Sequence, residues 1–130
     1  MKTKTINYYF ENSEEKIIKK NLNFSMNDNI ITFEVENDRI NIDLVNNILE
    51  KENNESILKL KFNENKEELG SYYIKELNGN FDIYVETLKL NKTNEQYIVE
   101  YKLKIDNELL GNFILKIEIM EEWLWKILKN

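Results

Sequence analysis

The chain has 130 residues, 42% of them hydrophobic and 12% aromatic, with no cysteine, histidine or proline. That is the length of one domain with ample material for a core, and it leaves no disulfide framework, thiol nucleophile, imidazole base or ordinary zinc site. The net charge of −6 is shared evenly, residues 1–65 and 66–130 each carrying 9 basic and 12 acidic side chains, so no basic stripe exists to follow a phosphate backbone and nucleic-acid binding is disfavoured.

Met1-Lys2-Thr3-Lys4 leads into a strand-like segment rather than an apolar signal core. No run approaches the ~20 apolar residues of a membrane span. A soluble cytoplasmic protein is expected, with no membrane partner. Short alternating runs then follow one another: Ile6-Tyr8-Phe10, Ile18-Leu22-Phe24, Ile31-Phe33-Val35, Ile40-Ile42-Leu44, Ile48-Leu49 and Leu58-Leu60-Phe62. Each is broken by Asn, Asp, Glu or Ser. Asn and Asp tolerate left-handed backbone and bond their own main chain, so they can make the turns in a chain with only three glycines. Such spacing implies a meander of 8–10 antiparallel strands closing into a sandwich or barrel.

Asn78-Gly79 is the preferred pair for a two-residue type I′ hairpin. A turn there sets Lys75 opposite Asp82, Ile74 opposite Ile83, Tyr73 opposite Tyr84 and Tyr72 opposite Val85, all favourable cross-strand pairs. Tyr72, Ile74, Ile83 and Val85 share one face; Tyr73, Tyr84, Leu69 and Leu88 share the other. Further on, Tyr97, Val99, Tyr101, Leu103 and Ile105 alternate with polar residues, as do Phe113, Leu115, Ile117 and Ile119. Period two over this length means half-buried strands. Keeping Tyr101 and Phe113 on one face requires an odd loop, most simply Asp106 to Glu108 with Asn107 left-handed.

The tail, about 121–129, reads as an amphipathic helix with Trp123, Leu124, Ile127 and Leu128 on one stripe. It can cover the second apolar face of the Tyr73/Tyr84 hairpin or serve a dimer contact. The acidic net charge and the short stripe speak against a membrane-surface anchor.

Tyr73-Ile74, Gly79-Asn80-Phe81-Asp82-Ile83, Thr87, the run Tyr97 to Leu103, Asn107-Glu108-Leu109-Leu110 and Leu115 to Ile119 together resemble the YwiB-like family of bacterial proteins of unknown function. The resemblance covers Leu69 to Ile119 and consists of strand patterns. It departs at Glu76-Leu77-Asn78-Gly79, where the family tends to have a Thr-Pro-Tyr-Gly-like turn. It implies a calycin-like, lipocalin-like barrel and brings no activity or catalytic residues.

Carboxylates are the only abundant catalytic currency. Neighbouring pairs such as Glu14-Glu15 point to opposite faces of a strand, which suits a solvated surface rather than a catalytic dyad. Tyr97, Tyr101 and Tyr72 fall on the inward phase. Buried phenols need hydrogen-bond partners, so these residues either pack in the core or line a pocket for a small apolar molecule. Arg39, the single arginine, can anchor an anionic ligand group or stand exposed beside the Asn37-Asp38 turn. The expectation is therefore one domain, 1–130: an all-β, antiparallel up-and-down calycin-like barrel with a short C-terminal helix. No enzyme activity, metal or cofactor is expected. The first reading is a small apolar ligand held by Tyr72, Tyr97, Tyr101 and Arg39. The second is a side-chain-filled barrel that forms a homodimer or meets a protein partner through Tyr73/Tyr84 or Trp123/Trp125.

Overall fold

A computed structural model describes residues 5–93 and 95–119. The alternating runs form eleven strands: β1 (Thr5–Glu11), β2 (Lys16–Asn23), β3 (Ser25–Asn27), β4 (Ile30–Val35), β5 (Asp38–Asp43), β6 (Ile48–Glu52), β7 (Ser56–Lys61), β8 (Glu68–Ile74), β9 (Gly79–Lys92), β10 (Gln96–Ile105) and β11 (Glu108–Ile119). They make one antiparallel sheet in the order β2-β1-β11-β10-β9-β8-β7-β6-β5-β4-β3. The two edge strands, β2 and β3, adjoin in the chain. The sheet therefore curls round until one bent segment supplies both edges, giving a nearly closed barrel. Lys19 of β2 reaches Glu36, just past β4, at 3.7 Å across the seam, and inside it Tyr8 meets Phe33 with ring centroids 5.5 Å apart. The expected 8–10 strands become eleven because the bend splits that segment into β2 and β3. Near-closure brings the two remaining edges, β2 and β3, together at one seam and so limits the exposed edge that would otherwise invite association.

Asn and Asp make the turns as expected. Asn12 Oδ1 accepts from the main-chain N–H of Glu14 and Glu15, and Asn53 Oδ1 from those of Glu55 and Ser56. Asp28, Asn47, Asn78, Asp106 and Asn107 all take positive φ. Two details of register differ from expectation. Asn78-Gly79 is not the tip of its hairpin: a four-residue loop, Lys75 to Asn78, closes with the Asn78 N–H donating to the Lys75 carbonyl at 3.2 Å. Tyr73 then faces Asn80, and Tyr84 faces Leu69. The two-residue turn with both residues at positive φ is Asp106-Asn107. Tyr101 and Phe113 still pair, because a bulge between Leu103 and Lys104 restores the parity that an odd loop was expected to supply.

Packing grades along the barrel axis. At the end where β10 begins, Ile6, Ile31, Ile42, Leu44, Leu60, Phe62, Tyr97 and Ile117 are all 2% exposed or less. At the other end the inward positions Phe10, Ile17, Leu58, Tyr72, Ile105 and Phe113 are only partly buried, and Phe81 is 42% exposed. Among the described residues, the first end is filled with side chains and the second is open. Among the described residues no helix is long and apolar enough to cross a membrane. The expected helix at 121–129, with Trp123 and Trp125, lies outside the described residues.

Polar groups seal the filled end. Tyr97 donates its hydroxyl to Asn47 Oδ1 at 3.1 Å, and Lys92 Nζ donates to the Leu44 carbonyl at 3.0 Å. Asp43 accepts from the main-chain N–H of Val45 and Asn46 and from the Asn46 amide. Burial opposes ionisation of Asp43, but those bonds and the Lys92 charge outweigh it and hold the carboxyl below its ordinary 3.8. A carboxyl lowered on folding contributes stability above about pH 4 that is lost as pH falls through its folded value. Asp43→Asn is therefore expected to be less stable than the wild type by about 1 kcal/mol at pH 7. The gap should close below pH 4. Urea unfolding at pH 7 and pH 3 checks this, and an equal gap at both pH values would mean the charge of Asp43 contributes nothing.

Candidate ligand-binding site

The open end of the barrel encloses a cavity of about 220 Å³. Period two brings its wall together from strands far apart in the chain: Tyr8 and Phe10 of β1, Leu49 and Lys51 of β6, Leu58 of β7, Tyr101 and Leu103 of β10, Phe113 and Leu115 of β11. One side is a run of rings. Phe62 lies 4.9 Å from Tyr101 by ring centroids, Tyr101 stacks on Phe113 at 5.3 Å, and Phe113 meets Phe10 at 6.0 Å. Offset and tilted pairs of this kind hold one another in place beyond their area burial. The other apolar lining is aliphatic, from Ile40, Leu49, Leu58, Leu103 and Leu115.

The rim is polar. Asn12 and Glu15 come from the β1–β2 turn. Lys51 occupies an inward position of β6, opposite Ile40 and Leu58. Its ammonium lies 3.4 Å from Asp38 Oδ2 and 5.4 Å above the Phe10 ring. Asp38 also accepts from the Asn53 amide at 2.9 Å. Burial pushes the Tyr8 hydroxyl above its ordinary pKa, helped by the charges of Asp38 and Glu15. Burial likewise raises Tyr101, with Tyr8 adding to it. Both phenols are therefore neutral donors.

Of the four residues expected to hold a ligand, Tyr101 alone lines this cavity. Tyr97 lies at the filled end, 0% exposed and bonded to Asn47. Tyr72 sits inward and half-buried on the β8–β9 hairpin at the open end, opposite Leu58 and Phe81. Arg39 is exposed on the outer face, opposite Glu34 and Glu52. Tyr84 is exposed on the outer face beside Leu69, and the Tyr73 hydroxyl bonds Asn78. Tyr8, Phe10, Phe113 and Lys51 were not singled out for the site. Lys51 was legible: Leu49 is inward, so the residue two further along must be too.

Among the described residues no group of three or more carboxylates could hold a metal ion. No protein-family model matches the chain, and no curated protein sequence matches it. Among solved structures, this chain is similar to the ywiB protein from Bacillus subtilis, at 10% sequence identity and a TM-score of 0.37, over 93% of this chain and 96% of that chain.

Proposed function

We propose that this chain is a non-catalytic, cytoplasmic binding protein of calycin-like form that holds one small, mainly apolar molecule at the open end of its barrel. The observation that carries the reading is the uneven filling of the interior. A barrel serving only as a scaffold gains by packing both ends, because voids forfeit contacts. Here one end is solid and the other keeps about 220 Å³ behind a ring wall and a polar rim. The carboxyls also favour binding over catalysis. Glu118, bonded by Tyr9, is held low. Burial opposes ionisation of Glu68, but bonds from Lys66 and Asn63 and the charges of Lys66 and Lys61 outweigh it. With Asp43, each displaced carboxyl among the described residues moves away from the raised value a general acid needs at neutral pH.

The outer face supports a second reading, contact with another copy or another protein, since Leu69, Tyr84 and Leu88 are 56%, 41% and 45% exposed there. Native mass spectrometry of freshly purified protein, repeated after denaturation, separates the two. The expected result is a single-chain mass with a small adduct that leaves on unfolding. A clean mass of twice the chain would instead favour the outer face.

A further inference from the structure

Two buried tyrosines belong to the cavity wall. Tyr8 and Tyr101 are 2% and 3% exposed, and both line the cavity. Neither hydroxyl has a hydrogen-bond partner among the described residues. Tyr97 shows what the chain does with a buried phenol where nothing enters: it supplies Asn47. A buried hydroxyl without a partner carries its full desolvation cost, so native folds leave few of them. Here two face one space.

The charges beside that space are already matched or wet. Lys51, the one ammonium lining the cavity among the described residues, is paired with Asp38, and Glu15 stands exposed at the rim. The deeper wall is Ile40, Leu49, Leu103 and Leu115 with the rings. A charged group placed there would be stripped of water with no unpaired counter-ion to meet it. An uncharged oxygen or nitrogen would be met by two neutral hydroxyls. As to size, an engineered apolar cavity of about 150 Å³ takes benzene; this one leaves room for a few atoms more.

We infer that the cavity takes an uncharged, single-ring molecule bearing a hydrogen-bonding oxygen or nitrogen, its ring against Phe10, Tyr101 and Phe113 and its polar atom within reach of the Tyr8 and Tyr101 hydroxyls. This rests on the ligand-site reading above and adds the chemical class.

The test is an NMR titration of the full chain with four probes of one ring each: toluene, benzyl alcohol, benzoate and benzylammonium. Benzyl alcohol is expected to bind about tenfold more tightly than toluene and than either ion, since a site with buried polar groups rejects an analogue that leaves them unpaired. Tyr101→Phe, and separately Tyr8→Phe, should reduce or invert the alcohol-to-toluene ratio; the ratio is read within each protein, so a change in stability does not enter it. Tightest binding by toluene would overturn the inference and leave the ligand site standing. Tightest binding by an ion would overturn it in favour of a charged ligand. No binding by any probe would end both, the hydroxyls then being served by water alone.

Discussion

Gly70→Ala is expected to destabilise the barrel by about 3 kcal/mol, among the larger single-residue effects in a domain of this size. A Cβ at Gly70 would lie 2.4 Å from the Lys59 carbonyl oxygen, 3.4 Å from Leu60 Cδ2 and 3.5 Å from the Ile83 carbonyl oxygen. The first of these is backbone and cannot swing aside. Gly70 sits where β8 leaves β7, one residue before Ser71, which pairs with Lys59, and faces Ile83 on its other side. A methyl group there must push β7 and β8 apart or spoil the β8–β9 ladder, and close-packed interiors yield little to either. A melting temperature about 10 °C lower is the expected readout. Gly79→Ala is the control, because nothing stands closer than 3.8 Å to its Cβ, and it should stay within about 0.5 kcal/mol. Equal behaviour of the two variants would show that the β7–β8 approach relaxes freely and sets nothing in the fold.

Gly70 also marks where sequence reasoning runs out. Period two identifies faces, and it did so from β8 to β10: Tyr101, Val99, Ile83 and Val85 are buried, while Leu69, Tyr84 and Leu88 are exposed. It failed in β2, where Ile18, grouped with Leu22 and Phe24, is 46% exposed and Ile17, opposite Phe10, packs against the core instead. It cannot distinguish registers that differ by an even number of residues, because such slips leave every side chain on its face. That is why the faces of the β8–β9 hairpin were legible and its partners were not. Tyr73 meets Asn80 rather than Tyr84, and the four-residue loop, not Asn78-Gly79, sets the pairing. The same ambiguity ran the other way at Asp106-Asn107. There the face requirement was right, and a bulge rather than an odd loop met it.

The cavity was less legible still. Its walls depend on which inward residues meet across strands remote in sequence, Phe10 with Phe113 and Tyr8 with Ile117. Alternation marks all of them as inward without saying which end of the barrel is filled. The filled end is held by the 44–47 connection, which meets β10 through the Tyr97–Asn47 bond and the start of the 62–67 connection through the Phe62 N–H donating to the Asn47 carbonyl. No local pattern encodes those long-range bonds. Tyr97 and Tyr101 look alike in sequence, four residues apart on one face, yet Tyr97 bonds Asn47 while Tyr101 lines a space and has no hydrogen-bond partner among the described residues.

Leu58→Trp is expected to abolish occupancy of that space while leaving the barrel folded. Leu58 is partly buried, lines the cavity, and faces both Lys51 and Tyr72. An indole in its place has an empty volume to enter rather than neighbours to displace. The usual overpacking penalty is therefore offset by new apolar burial, and stability should stay within about 1 kcal/mol of the wild type. Benzyl alcohol affinity should fall more than about tenfold, since a loss of roughly 1.4 kcal/mol of contact already gives that factor. Amide shifts on titration locate the loss at β1, β6 and β10. If the alcohol still bound the variant with wild-type affinity, the occupant would have to lie elsewhere. The outer groove of about 350 Å³ between Ile48, Lys59, Leu69 and Ser71 would be the place to look. If the variant lost affinity and gained stability together, the void at the open end would be shown to cost the fold something, as expected of an interior kept hollow for a ligand.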